Sequence, residues 1–383
     1  MHQTYISLDP VPVTLGETPH SARENRTFQG IPGINRTAKG RLFALWYTGG
    51  TTECRENYVT IAISDDDGLS WLESAAIIDP PHPAVRAFDP ALWTTPDGRF
   101  LVFWAQSCGG ESGNWEVYDG IAGVWFSELE NPDDDPEKFR FTPPRRISNG
   151  VMMNKPTVLE DGTWALPCSA WSGDHPKHES LEVVQGAYMV VSTDNGATFS
   201  RRGLVDMNGM KFSFDEHMFV RLQDGRLACY CRVQNGTSES FSEDNGRTWS
   251  SPVLSATIPG IDSRFFIRRL KSGRLLLIAN DPPEKTPDIP FSGRRNMTAF
   301  LSDNDGKTWH SKLLLLDRDP DVSYPDAVET EDGFIYVIYD SGRRVGGHIF
   351  CSKITEADIL AGKLLSPGTF LNREVSHTRP VED

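Results

Sequence analysis

An eight-residue turn occurs four times in this chain and restricts its fold more than any other feature of the sequence. In the last copy, Asn304 and Asp305 can fold their side chains back onto backbone N–H groups, as Asx turns do. Gly306 can adopt the positive φ that other residues resist, and Trp309 can return a large ring to the core with an indole N–H that needs a partner. Four such turns indicate an internal repeat. They occupy residues 64–71, 192–199, 242–249 and 302–309.

A second repeat is a polar turn that ends in glycine and leads into an apolar strand. Asp-Gly between apolar strands is a strong hairpin signal. The six glycines of this repeat are Gly40, Gly98, Gly162, Gly225, Gly273 and Gly333. They are separated by 58, 64, 63, 48 and 60 residues, a length that suits one four-stranded propeller blade. The sequence therefore predicts an all-β fold, a six-bladed β-propeller.

The repeats extend over most of the chain, so we expect one propeller domain over residues 1–383, although length alone would suggest two domains. A propeller must hide the free edge of its last sheet. We therefore expect residues 1–27 to complete a blade with the C-terminal segment and so close the ring. Units two and six lack the eight-residue turn. They have instead a charged loop at 131–136 and a helix-like segment at 354–360.

The composition excludes several classes of function. A net charge of −15 argues against general binding to nucleic acids or anionic membranes, and no apolar stretch approaches the length of a membrane span. The first residues lack a basic region followed by an apolar run, so a cytoplasmic protein is expected. The six cysteines lack the spacing of a metal site or a disulfide framework. Reduced thiols are therefore expected, and neither a metal nor a cofactor is predicted.

Alignment of the six units on the hairpin glycine predicts a ring of polar residues at the propeller axis. The strand before each turn should be the innermost strand of its blade, and innermost strands start around one central mouth. Five of the six aligned residues are polar or ionisable, in strands that are otherwise apolar. Such groups in a concave mouth are a candidate functional site. The ring consists of Ile31, Asp89, Lys155, Glu216, Arg264 and Tyr324.

Three segments of the second half, together with the eight-residue turns, resemble the sialidase (neuraminidase) superfamily of six-bladed propellers. The resemblance extends from about Phe28 to Tyr339. The turns alone are evidence for the fold, because they also occur in propellers that are not sialidases. The segments are more specific, since they resemble the parts of the family that carry catalytic and substrate-binding residues. They are residues 214–232, 294–300 and 323–328.

The resemblance implies an exo-acting glycoside hydrolase that releases a terminal acidic sugar from a glycan or glycoconjugate. By resemblance, Tyr324 is the nucleophile and Glu216 its base. Arg232, sixteen residues after Glu216, and Arg295 or Arg294 would bind the acidic group of the sugar. A neutral tyrosine suits such a substrate because a carboxylate nucleophile would repel the substrate's own negative charge. A nearby carboxylate can take the tyrosine proton, and arginine binds two carboxylate oxygens at once.

The first half departs from the family pattern. Sialidases carry an Arg-Ile-Pro motif that supplies a further substrate-binding arginine, and the matching segment here, residues 29–32, has Gly30 at that position. Arg264 or Lys155, both on the axial ring, could supply the missing cation from another blade. Asp326, in the segment of Tyr324, is a further candidate for substrate binding.

The general acid and the sugar-contacting aromatic residues also remain open. Glu53, with Glu56 in the same loop, and Asp89 on the ring are the alternatives for the acid. Long loops contain aromatic residues that can contact a sugar, namely Trp115, Tyr118 and Trp171. Two other functions compete with a sialidase: a glycosidase or lyase for a different sugar, and a glycan-binding propeller without catalysis. In a glycan-binding propeller, Glu216 would have no catalytic role and would only be an ion-pair partner of Arg232 or Arg264.

Overall fold

The computed structural model describes residues 7–108, 122–171, 186–258, 261–282, 293–343 and 345–379. In these residues the strands form six antiparallel sheets, arranged as a six-bladed β-propeller, as the repeats predict. One sheet has five strands and the others have four, and in each sheet the strand before the hairpin turn lies at one edge. None of the helices in the described residues is long and apolar enough to cross a membrane.

The strands follow one another through the blades in chain order. Blade one contains β1 (Val13–Leu15), β2 (Gln29–Arg36), β3 (Leu42–Thr48), β4 (Tyr58–Ser64) and β5 (Leu72–Ile78). Blade two contains β6 (Val85–Thr94), β7 (Phe100–Cys108), β8 (Gly123–Leu129) and β9 (Arg145–Asn149). Blade three contains β10 (Thr157–Val158), β11 (Trp164–Ala170), β12 (Gly186–Ser192) and β13 (Ser200–Val205).

The second half repeats this arrangement. Blade four contains β14 (Phe212–Arg221), β15 (Leu227–Val233), β16 (Gly236–Ser242) and β17 (Val253–Leu254). Blade five contains β18 (Phe266–Arg269), β19 (Leu275–Asn280), β20 (Met297–Ser302) and β21 (His310–Leu316). Blade six contains β22 (Ser323–Glu329), β23 (Phe334–Ser341), β24 (His348–Thr355) and β25 (Phe370–His377), with helix α1 (Glu356–Ala361) between its last two strands. Short 3-10 turns lie at Arg23–Asn25 and Pro136–Lys138.

The chain termini meet, but not in the shared blade that the sequence analysis predicts. β1 pairs with β5 and extends blade one, whereas all four strands of blade six come from residues 323–377. The terminal segments are joined by hydrogen bonds instead. The backbone N–H of Arg379 donates to the carbonyl of Arg26, and the Gln29 amide donates to the Ser376 hydroxyl. The N-terminal strand therefore extends the outer edge of blade one and does not complete blade six.

The eight-residue turns connect the last two strands of blades one, three, four and five. In the copy at 302–309, the Asn304 side chain accepts from the N–H of Thr308 at 2.9 Å, as expected of an Asx turn. Asp305 differs from the expectation, because it adopts a φ of 59° and its carboxylate accepts from the N–H of Gln223 in blade four at 2.8 Å. Trp309 packs on the core, but its indole nitrogen has no hydrogen-bond partner in the part of the chain that the structure describes. The turn therefore fastens one blade to its neighbour.

The innermost strands β2, β6, β14 and β22 each contain a bulge at the ring residue. The strand register shifts there, and Ile31, Asp89, Glu216 and Tyr324 have φ values of 58°, 46°, 42° and 54°. A bulge with a positive φ re-aims one side chain at the expense of backbone strain. In three of these blades the next residue is a proline, which has no N–H for the strand ladder. These bulges turn the ring residues towards the axis.

Candidate active site

A cavity of about 280 Å³ opens at the mouth of the propeller, and ring residues from four blades line it. Ile31, Asp89, Glu216 and Tyr324 all contribute side chains to its wall. Each of these residues lies at the bulge of its innermost strand. Four of the six residues aligned on the hairpin glycines therefore lie around one cavity.

Tyr324, Glu216 and Arg232 form a closed triangle of hydrogen bonds in this cavity. The Tyr324 hydroxyl donates to Glu216 Oε1 at 2.8 Å. Arg232 Nη1 donates to the Tyr324 hydroxyl and to Glu216 Oε1, each at 2.7 Å. All three side chains are buried. Burial raises the pKa of Tyr324 to about 12, although Arg232 opposes this shift. The phenol is therefore neutral near pH 7 and has a proton acceptor in contact.

Arg232 is held in place by a carboxylate that the sequence analysis missed. Asp262 Oδ1 accepts from Arg232 Nε at 2.8 Å, and its own backbone carbonyl accepts from Arg294 Nη2 at 3.0 Å. Asp262 thereby positions two guanidinium groups on the same wall of the cavity. The sequence offered one signal, since Asp262 lies two residues before the ring residue Arg264.

Of the two neighbouring arginines proposed for substrate binding, only Arg294 lines the cavity. Its Cζ lies 5.5 Å from the centre of the Tyr324 ring. Arg295 is wrong as a cavity residue, because it is partly exposed and its Nε lies 2.6 Å from Asp317, with a second ion pair to Asp319.

Lys155, Asp326 and Arg264 come together at the axis but do not line this cavity. Lys155 of blade three and Asp326 of blade six form a buried ion pair, and Asp326 also accepts from the N–H of Ile34 at 2.8 Å. Arg264 Nη2 donates to the carbonyl of Pro325 at 2.8 Å. The expectation that Lys155 or Arg264 supplies the missing cation is therefore wrong in this structure. Burial lowers the pKa of Lys155 to about 8, against the opposing effect of Asp326.

The two alternatives for the general acid both line the cavity, in different environments. Asp89 is 3% exposed, and burial raises its pKa to about 7. Arg86 lowers that pKa, whereas Glu53 and Glu216 raise it further. Glu53 has a side chain that is 33% exposed, and it lies 3.4 Å from Arg343. Glu56, in the same loop, is exposed. Asp89 is therefore protonated in a substantial fraction of molecules near neutral pH.

Two buried arginines of the cavity wall were absent from the sequence analysis. Arg343, just after β23, places its Cζ 4.2 Å from the centre of the Tyr324 ring. Arg86, in β6, places its Cζ 4.1 Å from the centre of the Phe88 ring. Arg86 is 1% exposed, and its Nε and Nη1 have no hydrogen-bond partner among the described residues. Only Arg86 had a sequence signal, because it precedes the ring residue Asp89 by three positions.

One of the three aromatic residues proposed for sugar contacts lies at the site. Trp171 lines the cavity, and its ring centre lies 5.1 Å from that of Phe214. Trp115 and Tyr118 lie outside the residues that the structure describes. Among the described residues, no group of three or more His, Cys, Asp or Glu side chains is arranged to hold a metal ion.

The fold and the site define a sialidase-like propeller, and comparisons with known proteins agree. A family model described as a BNR repeat-like domain matches residues 40–337, so the chain belongs to this family. A search of curated proteins returned no match.

Solved structures with the same fold share little sequence with this chain. A Hadza microbial sialidase, Hz136, superposes with a TM-score of 0.66 at 18% identity, covering 88% of this chain and 67% of that one. The intramolecular trans-sialidase of Ruminococcus gnavus gives 0.63 at 13% identity, covering 90% and 97%. The α-L-arabinofuranosidase Arb93A of Fusarium graminearum gives 0.56 at 11% identity, covering 92% and 99%. At these identities the likeness establishes the fold.

Proposed function

We propose that this protein is an exo-acting glycoside hydrolase that releases a terminal acidic sugar with retention of anomeric configuration. The observation that carries the proposal is the triangle of Tyr324, Glu216 and Arg232, buried in a cavity that further arginines line. A binding module has no need of a tyrosine that donates directly to a carboxylate. The presence of a sialidase and a trans-sialidase among the structural neighbours also supports this proposal.

In the first step, the Tyr324 oxygen attacks the anomeric carbon while its proton passes to Glu216 Oε1, 2.8 Å away. The bond from the anomeric carbon to the leaving oxygen breaks, and Asp89 donates its proton to that oxygen. Arg232 stabilises the negative charge that develops on the tyrosine oxygen during the transfer, because it already donates to that atom at 2.7 Å.

In the second step, Asp89 acts as a base and removes a proton from a water molecule that attacks the anomeric carbon. The bond to Tyr324 breaks and Glu216 returns the proton to the tyrosine oxygen. Two displacements at one carbon retain its configuration. Arg232 and Arg294 lie on one wall of the cavity, where they can bind the acidic group of the sugar with their planar guanidinium groups.

The proposal is tested with the 4-methylumbelliferyl glycoside of N-acetylneuraminic acid and the variant Tyr324→Phe. We expect the wild-type protein to release the fluorophore and the variant to lose kcat by roughly a thousandfold or more. Tyr339→Phe is a matched control, because Tyr339 is buried in the same blade, where it contacts Ser352 and Asn372 away from the cavity. Full activity of Tyr324→Phe would contradict the mechanism.

A glycosidase for a different sugar is the second candidate. Gly30 stands where the resembled family has a substrate-binding arginine, and an arabinofuranosidase is among the structural neighbours. Release of another sugar from a panel of aryl glycosides, without turnover of the sialic acid substrate, would favour this candidate. Binding of a glycan without turnover of any panel member would instead identify a glycan-binding propeller.

A further inference from the structure

Gly30 and Arg343 occupy one volume at the mouth of the cavity. A Cβ atom at position 30 would lie 2.1 Å from Arg343 Cδ and 2.5 Å from its Cγ, distances that carbon atoms cannot share. The backbone of Gly30 is not in the left-handed region, so its conformation does not require glycine. What requires glycine is the side chain of Arg343, which crosses from blade six into blade one.

The Arg343 guanidinium is fixed in a defined orientation against the nucleophile. Its Nε lies 3.2 Å from the buried carboxylate of Asp340, and its Nη2 donates to the Ser323 hydroxyl at 3.1 Å. Its Cζ lies 4.2 Å from the centre of the Tyr324 ring. The remaining terminal nitrogen, Nη1, makes a longer contact of 3.4 Å with the partly exposed Glu53. Nη1 is therefore the most weakly held donor of this group.

We propose that Arg343 supplies the third guanidinium for the acidic group of the substrate, and that Gly30 is the space through which it arrives. This inference rests on the proposed function. The sequence lacks an arginine at position 30, yet the stem of Arg343 passes beside that glycine, and Arg343 lines the cavity from the opposite end of the chain. Arginine at position 30 and arginine at position 343 are alternatives, since the volume admits only one of them.

The expected consequence is specificity for a carboxylate. Arg232, Arg294 and Arg343 all line the cavity around Tyr324. The Cζ atom of Arg294 lies 5.5 Å from the centre of the Tyr324 ring, and that of Arg343 lies 4.2 Å from it. A neutral sugar would leave these buried charges without a ligand, which disfavours its binding. The methyl ester of the sialic acid substrate should therefore bind less well than the acid, and Arg343 should contribute to that difference.

The test is a cycle of Gly30→Arg, Arg343→Ala and the double variant. With 4-methylumbelliferyl N-acetylneuraminic acid, Arg343→Ala should raise KM roughly 10- to 100-fold with a smaller effect on kcat. Gly30→Arg should be impaired and less stable, because two side chains collide. The double variant should recover a large part of the lost affinity, because the new arginine enters the emptied volume. Arg295→Ala, outside the cavity, should leave KM unchanged.

Thermal denaturation separates failure of this inference from failure of the proposed function. Gly30→Ala should lower Tm clearly in the wild-type background and much less in the Arg343→Ala background, whatever the substrate is. Equal losses in both backgrounds would overturn the shared volume. An unchanged KM in Arg343→Ala, while Tyr324→Phe abolishes turnover, would overturn the role in substrate binding and leave the proposed function intact. If the wild-type protein neither binds nor hydrolyses the acidic substrate, both fall together.

Discussion

At the scale of single residues, the protonation of Asp89 is the central requirement of the proposed mechanism. Burial raises the pKa of this carboxyl to about 7, so that it can donate a proton near neutral pH. The Tyr324 hydroxyl is neutral in the same range, because burial also raises its pKa, to about 12. The proposed mechanism uses these two groups as its neutral nucleophile and its proton donor.

We predict that kcat/KM falls as pH rises above about 7, since Asp89 then loses the proton that the leaving oxygen needs. Asp89→Asn should remove this alkaline limb. Its loss of activity should be large for a sialyl disaccharide and smaller for the 4-methylumbelliferyl glycoside, whose leaving group needs less protonation. The measurement is a pH–rate profile for both substrates. Glu53→Gln is the matched control, and an alkaline limb that disappears in Glu53→Gln and persists in Asp89→Asn would reverse the assignment.

The same shift has a consequence for stability. Its sign follows from the folded-state pKa of about 7, which is above the ordinary value of an aspartic acid. The native state then binds more protons than the unfolded state between the two pKa values. The contribution of Asp89 to stability is therefore complete at acidic pH and is lost as pH rises through about 7. Asp89→Asn should lack this part of the pH dependence in urea denaturation.

Arg86 is a buried cation whose Nε and Nη1 have no hydrogen-bond partner in the described residues, and it should destabilise the free protein. We predict that Arg86→Met, which keeps an unbranched side chain over Phe88, raises the free energy of unfolding by about 1 to 3 kcal/mol. It should also weaken binding of the acidic substrate. Chemical denaturation and KM measure the two effects. Lys39→Met, at an exposed position of the first hairpin turn, should change stability by less than about 0.5 kcal/mol. A less stable Arg86→Met would show that packing of the guanidinium outweighs its missing hydrogen bonds.

At the scale of elements, the bulges of the innermost strands turn chosen side chains towards the axis, which a regular strand cannot do. A regular strand alternates its side chains between the two faces of the sheet, and both faces of a blade are packed against neighbours. The register shift at Asp89, Glu216 and Tyr324 frees these residues from that alternation, and their positive φ turns them towards the axis. In these strands the strain falls on residues that line the cavity, and the surrounding strand pairs hold it in place.

The eight-residue turns have a different role, because they connect neighbouring blades. Asp305 joins blade five to blade four through the N–H of Gln223, and Asp67 joins blade one to blade six through Lys353 at 2.7 Å. Both residues occupy the same place in the turn, and both have a positive φ. The motif that revealed the repeat in the sequence therefore also stabilises the contacts between its copies.

At the scale of the whole molecule, hydrogen bonds between the two ends of the chain contribute to closure of the ring. The Ser376 hydroxyl accepts from the Gln29 amide at 3.2 Å and donates to Glu73 at 2.7 Å, so it connects blade six to blade one. These are the blades that carry Arg343 and Gly30. Closure therefore also sets the register between the two residues that share the cavity mouth.

We predict that Ser376→Ala lowers the free energy of unfolding by about 1 to 3 kcal/mol, because it removes the hydrogen bonds that join the buried Gln29 amide to the charged Glu73 carboxylate. Equilibrium denaturation in urea measures the loss. Ser251→Ala, at an exposed loop position, should change stability by less than about 0.5 kcal/mol. An equal effect of both substitutions would mean that the contact between the termini does not stabilise the ring.

The sequence by itself determined the number of blades, the position of each hairpin and the depth at which Asp89, Glu216 and Tyr324 meet. These follow from local rules, because turn residues and glycine spacing set the repeat, and the repeat sets the axis. It also placed Arg232, sixteen residues from Glu216, by resemblance to a known family.

Only the tertiary structure decided which charges face the cavity and which neutralise one another. Lys155 and Asp326 were predicted as site residues, but they form an ion pair outside the cavity. Arg294 faces the cavity and Arg295 does not. No sequence pattern indicated Arg343. Such choices depend on contacts between blades that lie far apart in the chain, and no local pattern encodes them. The presence of an arginine at position 343, with glycine at position 30, depends on such a contact between distant blades. Their separation in sequence is nearly the length of the ring, and closure of the ring brings them into one volume.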